Sequence, residues 1–198
     1  MNTAATLEMA DKQATLAINQ LHCAFGDAVW VFFSNRYVWI PLYLAVLFMF
    51  FRKLGWKRGA MSLLACVLTV AACDQLGNLV KDSVMRLRPC WDGFMLQNGL
   101  HLLEGEGNLF GFFSAHAANA MGFALCSASC FRLNGLKGKG IDAYTLGIIC
   151  WALMVGISRI FVGKHFLGDV ITGFLVGAAI GAALAFAAHA CLKKQNKS

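Results

Sequence analysis

Three short polar clusters stand out in a chain that is 59% hydrophobic. The first is KDSVMRLRP, residues 81 to 89; the second is FFSAH, residues 112 to 116; the third is SRIFVGKHFLGD, residues 158 to 169. Lys81, Arg88 and Arg159 are three cations without an obvious equal number of buried anions beside them, which suits a pocket for a polyanion. The planar fork of arginine matches phosphate oxygens, and lysine adds a point charge. His165 and Asp169 are four residues apart, so a helix beginning there places both on one face. A carboxylate bonded to one imidazole nitrogen fixes the tautomer and leaves the other nitrogen free to attack. His116 is a second imidazole, able to donate a proton to a leaving oxygen. Ser114 can offer its hydroxyl to a phosphate, together with the amides of a helix that starts beside it. Taken singly, each has a plain structural reading. An Arg or Lys at the end of a span snorkels to the headgroups, Ser114 is a good N-cap, and Asp169 suits a helix N-terminus. The three clusters together favour a site.

These residues need elements to hold them. The chain has 198 residues, enough for one domain. Charged residues make up 14%, against about 25% in soluble domains. Runs such as GAMSLLACVLTVAAC lack the polar face of a soluble helix, and a membrane-crossing helix needs about 20 mostly apolar residues. The fold class expected is an all-α integral membrane protein, a bundle of about five transmembrane helices plus an N-terminal interfacial helix. The spans expected are 37–51, 59–80, 115–133, 143–162 and 166–192. The first is short and relies on Arg36 snorkelling and on Tyr37 and Trp39 as interfacial anchors. Leu7, Ala14, Ile18 and Leu21 can share one face of a helix over residues 7 to 23 lying in the interface. The whole chain, 1–198, reads as one membrane domain, with 1–27 as the interfacial segment, 59–185 as the core bearing the three clusters, and 193–198 as a tail.

The net charge is +7. The cations sit in short loops beside apolar runs, which points to membrane topology rather than to nucleic acid. RKLGWKRG carries four basic residues, RLNGLKGKGID three, and the tail KKQNKS three. These segments fall on one side, which the positive-inside rule makes cytoplasmic. Glu8, Asp11, Asp27, Asp82, Asp92, Glu104 and Glu106 fall on the other side, with all three clusters. The expected location is a bacterial inner membrane, with the site facing the periplasm and the C-terminus in the cytoplasm. The N-terminus shows no basic region followed by an apolar core, so no cleaved signal peptide is expected. Six of eight cysteines lie in apolar runs; Cys23 and Cys90 lie outside them, and a disulfide between those two is open.

The three clusters, in this order, resemble the motifs of the type 2 phosphatidic acid phosphatase family. K-x6-RP runs from Lys81 to Arg88-Pro89. PSGH corresponds to Phe113-Ser114-Ala115-His116. SR-x5-H-x3-D runs from Ser158-Arg159 through His165 to Asp169. Phe113 and Ala115 depart from the second motif, which bears on the shape of that loop. The resemblance spans residues 59 to 185. It implies a helical membrane enzyme that hydrolyses a phosphate monoester or diphosphate of a lipid, with no metal and no cofactor. His165 would form a phosphohistidine, Asp169 would orient it, and His116 would protonate the leaving group and then activate water. Lys81, Arg88, Ser114 and Arg159 would hold the phosphoryl oxygens. The partners implied are a phosphorylated membrane lipid and the bilayer. Candidate substrates are undecaprenyl diphosphate, lipid A phosphate, phosphatidylglycerol phosphate and phosphatidate. Lipid-to-lipid phosphotransfer and a non-catalytic lipid- or anion-binding role are the alternatives, and the oligomeric state is open. Vanadium haloperoxidases share such an oxyanion pocket but are soluble.

Other residues carry weaker expectations. Asp74, Gln75 and Asn78 are expected to bond to other helices. Arg86 and Lys164 lie inside motifs without being motif positions, and either contact phosphate or face water. Gly173, Gly177 and Gly181 are expected to form a packing face within the bundle. The loop over residues 90 to 111 is rich in glycine and is expected to cover the site, with Trp91, Phe94, Met95 and Leu96 dipping into lipid.

Overall fold

A computed structural model describes residues 3–195. The elements in chain order are α1 (Thr3–Asn19), α2 (Ala24–Ser34), α3 (Ile40–Val84), a short α4 (Gly93–Gln97), α5 (Ala115–Leu133), α6 (Lys139–Phe161) and α7 (Leu167–Gln195). Single 3-10 turns precede α3 (Arg36–Trp39) and α4 (Pro89–Trp91). The described residues hold no β-strand, only an isolated antiparallel bridge between Leu87 and Phe110. The fold is the all-helical one expected. Of the tail expected over 193–198, residues 196–198 lie outside the described residues, as do residues 1 and 2 of the N-terminal segment.

The first two expected spans are the two arms of α3. Gly55 interrupts the helix with φ 76° and ψ 176°, a backbone conformation that costs glycine little and other residues much. The chain reverses there. Gly59 comes back against the carbonyl of Phe50. Along α5, Tyr43 packs on Phe123 and Phe50 on Phe131, so the first arm runs parallel to α5. Gly77 lies beside Phe113, and Thr69 beside Gly122, so the second arm runs antiparallel to it. The expected loop of eight residues is thus a one-residue break in a helix.

Three stretches of the described chain are long and apolar enough to cross a membrane: Arg36–Val84, Lys139–Phe161 and Leu167–Gln195. α5 is not among them because His116, Asn119, Ser127 and Arg132 make it less apolar; it lies between α3, α6 and α7 and is mostly buried. A helix shielded by other helices can carry Ser, Ala, Gly and Asn where a lipid-facing one needs larger apolar groups. Its contact with α7 is close. A Cβ added at Gly173 would meet the Ser114 carbonyl at 2.6 Å, at Gly177 that of Ala118 at 2.1 Å, and at Gly181 that of Gly122 at 2.3 Å. The three-glycine ladder is therefore a packing face within the bundle, as expected, and it sets α5 and α7 parallel with both N-termini at one end.

The basic segments meet at the opposite end. A cavity of about 300 Å³ there is lined by Arg58 from α3, Leu133 at the end of α5 with Asn134 and Gly135 after it, and His189, Leu192 and Lys193 from α7.

Candidate active site

The N-termini of α5 and α7, the C-terminus of α6 and the C-terminal end of α3 converge, and they bring the three clusters together. Ser114 caps α5, its Oγ accepting from the Ala117 amide at 3.4 Å, and its own amide donates to the Asp169 carbonyl at 3.0 Å. The plain reading of Ser114 as an N-cap is therefore realised, and the cap also ties the second cluster to the third. Phe113 is buried and packs with Cys73 and Ala118, so the residue that departs from the family motif serves as core.

The turn between α6 and α7 is built around one carbonyl. Arg159 O accepts from the amides of both Lys164 and His165, at 2.9 and 3.1 Å. Gly163 takes φ 77°, with the His101 carbonyl 3.0 Å from where a Cβ would sit. This turn buries His165 and places Asp169 one helical turn later on the same face. His165 Nδ1 lies 3.5 Å from Asp169 Oδ2. His165 Nε2 lies 3.5 Å from Nη1 of Arg88. Burial, first, and then the nearby Arg88 and Arg159 depress the His165 pKa, while Asp169 opposes them; the result is about 4. The imidazole is thus neutral over the physiological range.

Arg88 donates from Nε to the Phe110 carbonyl at 3.1 Å, which aims its outer nitrogens toward His165. Burial also lowers its pKa, against the pull of Cys90 and Asp169. Lys81 is half-buried on the last turn of α3, close enough for its charge to act on Arg88. Arg159 is not a free cation. Its Nη1 bonds to Ser34 Oγ and lies 3.3 and 3.4 Å from the two Glu104 oxygens. Ser34 in turn donates to Glu104. Arg159 Nε is buried without a partner. His116 is half-buried on the first turn of α5, within electrostatic reach of Arg159, His165 and Arg88.

Arg86 is half-buried and is engaged by two carboxylates. Its Nη1 donates to Asp169 Oδ1 at 2.6 Å and its Nη2 to Asp11 Oδ2 at 2.6 Å. Its guanidinium also sits 4.3 Å over the Phe166 ring. Burial would lower the Arg86 pKa, but Asp169 and Asp11 more than offset it and hold the pKa above the usual value. Asp11 Oδ1 accepts from Gly168 N at 2.8 Å, Thr15 Oγ1 accepts from Leu167 N at 2.8 Å, and Asp169 Oδ2 accepts from Phe166 N at 3.0 Å. Asn19 Nδ2 reaches the carbonyls of Ile160 and Phe161 at 3.1 Å each. One face of α1 thus satisfies the orphan amides that open α7 and the orphan carbonyls that close α6.

The sequence reading missed this face. The helix turns Thr15, Leu16 and Asn19 inward, while Leu7 and Leu21, expected on the shared apolar face, are exposed. The signal was present: Asp11, Thr15 and Asn19 recur every four residues. Ser34 and Glu104 had no such signal.

The outer loop, as the loop over residues 90 to 111 is termed for its expected side of the membrane, is pinned across the site. Leu103 N donates to Val162 O at 3.4 Å, Arg88 N to Leu109 O at 3.0 Å, and Gly111 N to Arg86 O at 2.9 Å. Met95, expected to dip into lipid, is instead buried against Leu16 and Phe166, while Trp91 and Leu96 are exposed. Cys90 is buried, with Sγ 3.2 Å from Glu106 O, and Cys23 is an exposed free thiol, so the two do not pair. Lys164 is buried beneath the same loop, its Nζ 3.3 Å from where a Cβ of Gly107 would lie. Asp74 accepts from Asn119 Nδ2 at 2.8 Å, bonding α3 to α5 as expected.

The architecture defines a multi-pass helical membrane protein with a histidine–carboxylate pair set among arginines at one end of the bundle. Residues 59–193 match the PAP2 superfamily model, and the chain belongs to that superfamily. It is 30% identical over 181 residues to a lipid A 4'-phosphatase of Bacteroides thetaiotaomicron, covering 90% of this chain and 77% of that one. It is 31% identical over 164 residues to an undecaprenyl-diphosphatase of Sulfolobus acidocaldarius, covering 81% and 69%. In fold it resembles the crystal structure of a transmembrane PAP2-type phosphatidylglycerolphosphate phosphatase from Bacillus subtilis, with a TM-score of 0.71 at 22% identity over 98% of this chain and 88% of that one.

Proposed function

We propose that this protein is an integral membrane lipid phosphatase that hydrolyses a phosphate monoester of a lipid headgroup through a phosphohistidine on His165. The observation that carries the reading is the convergence of His165, Asp169, His116, Lys81, Arg88 and Arg159 at one end of the bundle. In this reading Nε2 of His165 attacks phosphorus and the bond from phosphorus to the lipid oxygen breaks. His116, protonated when the negative charge of the bound phosphate lies beside it, gives its proton to that oxygen. Water then attacks phosphorus, the bond from phosphorus to His165 Nε2 breaks, His116 takes a proton from the water, and inorganic phosphate leaves. Lys81, Arg88 and Arg159 offset the charge on the phosphoryl oxygens as it develops in the transition state, and the Ser114 hydroxyl donates a hydrogen bond to one of them. Asp169 holds the His165 tautomer. No metal takes part in these steps.

Similarity to a lipid A 4'-phosphatase over 90% of the chain favours a lipid A-type sugar phosphate as substrate. Similarity to an undecaprenyl-diphosphatase supports a second reading, cleavage of a lipid diphosphate at the same site. The clustering of Arg58, Lys193 and the α5–α6 loop at the far end supports a cytoplasmic location for that end and a periplasmic one for the site.

The test is phosphate release in detergent, with EDTA present, from lipid A, undecaprenyl diphosphate, phosphatidylglycerol phosphate and phosphatidate. The parent is run beside His165→Ala. Release by the parent alone supports the reading, and the ranking names the substrate. Transfer of label to a second lipid without free phosphate would replace hydrolysis by phosphotransfer. No turnover by folded protein on any substrate would overturn it.

A further inference from the structure

The sharp bend between α1 and α2, 116°, brings together three side chains that the chemistry above does not use. His22 lies in the bend, Asp27 in the first turn of α2, and His101 in the outer loop. The rings of His22 and His101 stack with centroids 3.8 Å apart and an interplanar angle of 11°. His101 Nε2 lies 3.0 Å from Asp27 Oδ2. One ligand atom from each of the three residues falls within 4.8 Å of the other two. Asp27 Oδ1, the second carboxylate oxygen, is buried with no hydrogen-bond partner.

A buried carboxylate oxygen without a donor is costly unless a cation or a proton completes it. A plain ion pair between His101 and Asp27 leaves that oxygen unmet and gives His22 no part. A divalent ion answers both. Two imidazole nitrogens and one carboxylate make a three-ligand set suited to Zn²⁺, which binds such atoms at about 2.0–2.2 Å and takes water in the fourth position. Donors that already lie within 4.8 Å can close on such an ion once the His22 ring turns out of its parallel stack on His101, because the in-plane lone pairs of parallel rings do not converge. His22 is exposed and free to make that rotation, and it leaves a path for the ion to enter.

The backbone around the cluster is already fixed. Asn19 accepts from the His101 amide at 2.8 Å and donates to the His101 carbonyl at 2.9 Å. The same Asn19 amide group reaches Ile160 and Phe161 at the end of α6. An ion on His22, Asp27 and His101 would therefore fasten the outer loop and the α1–α2 bend beside the turn that carries Arg159 and His165.

We propose that His22, Asp27 and His101 form an outward-facing site for a divalent transition metal of the Zn²⁺ type, separate from the phosphoryl-transfer site. The ion staples the loop to the bend and does not enter the reaction.

The test uses the full chain without a histidine tag, purified in detergent and stripped with EDTA. Zn²⁺ is titrated calorimetrically, and retained metal is counted after desalting. The expected result is one Zn²⁺ per chain and a rise in thermal midpoint. His22→Ala, an exposed position whose loss should leave the fold intact, and His101→Ala should each weaken binding at least about tenfold. Cys23→Ser, next to the cluster but with its sulfur turned to the Gly26 amide at 3.3 Å, should bind as the parent does. Substoichiometric retention, unchanged binding in His22→Ala, or loss of binding in Cys23→Ser would each overturn the assignment. None of these outcomes depends on phosphate release, so the proposal stands or falls apart from the proposed reaction.

Discussion

Replacing Arg86 with alanine separates a positioning role from a substrate-binding role. The guanidinium holds two carboxylates, Asp169 Oδ1 and Asp11 Oδ2, each at 2.6 Å. The Asp169 side chain is 0% exposed and that of Asp11 18%. Removing one partner of a buried pair costs about 3–5 kcal/mol, because the other charge stays buried. That figure applies to the Asp169 arm; the Asp11 arm, partly open to water, is worth about 1 kcal/mol. Asp169 then keeps the Phe166 amide and the 3.5 Å contact with His165 Nδ1, both on Oδ2, and without the Arg86 bond on Oδ1 its carboxylate can rotate away from the imidazole. A displacement of about 1 Å at such a position costs about a hundredfold in rate. The expected result for Arg86→Ala is therefore a fall of roughly a hundredfold in kcat on a small water-soluble phosphate ester, with KM nearly unchanged. Arg86→Lys keeps the charge but cannot fork between two carboxylates, and should fall between parent and Arg86→Ala. Asp11→Asn should lose roughly fivefold, since it removes one charge-assisted bond of about 1 kcal/mol. Steady-state kinetics with a thermal midpoint on each variant is the assay. If KM rose in Arg86→Ala while kcat held, Arg86 would be gripping substrate, and the positioning argument would fail.

Three further outcomes follow from the same geometry. In the proposed reaction His165 attacks as the neutral imidazole, and its pKa is depressed to about 4; on that proposal activity should persist as pH falls through 6.5 and be lost only as pH falls through about 4. An acid limb of kcat/KM between pH 6 and 7, once the substrate's own ionisation is allowed for, would contradict this. Gly111→Ala places a methyl 2.9 Å from Arg88 Cγ and 3.5 Å from both His165 Nδ1 and Asp169 Oδ2; it should cost roughly a hundredfold in kcat with the helical fold retained by circular dichroism. Gly177→Ala drives a Cβ to 2.1 Å from the Ala118 carbonyl; it should destabilise the bundle by about 1–3 kcal/mol and lower the thermal midpoint, and an unchanged midpoint would mean that α5 and α7 are not in contact there.

The sequence showed most clearly what depends on local period. His165 and Asp169 are four apart, so any helix that starts beside them puts them on one face; the glycines at 173, 177 and 181 declare a close contact for the same reason. The two arms of α3 were legible as separate spans, but the single residue at which the chain reverses was not, since Gly55 lies among basic residues that read as an ordinary loop. What escaped were bonds between distant segments. Glu104 and Ser34 meet on Arg159 from 55 and 125 residues away, and no pattern in either neighbourhood announces it. α1 escaped for a different reason. Sorting a helix by its apolar positions assumes that apolar residues are the ones a protein buries. At the meeting of α6 and α7 the unmet need is for hydrogen-bond partners, because one helix ends and another begins within six residues and both leave backbone groups unpaired. Asp11, Thr15 and Asn19 meet that need, and Arg86 joins the same carboxylate to Asp169. A polar stripe at helical period on a terminal helix of a membrane protein is therefore as strong a sign of docking as an apolar one, wherever two helix ends must be closed away from water.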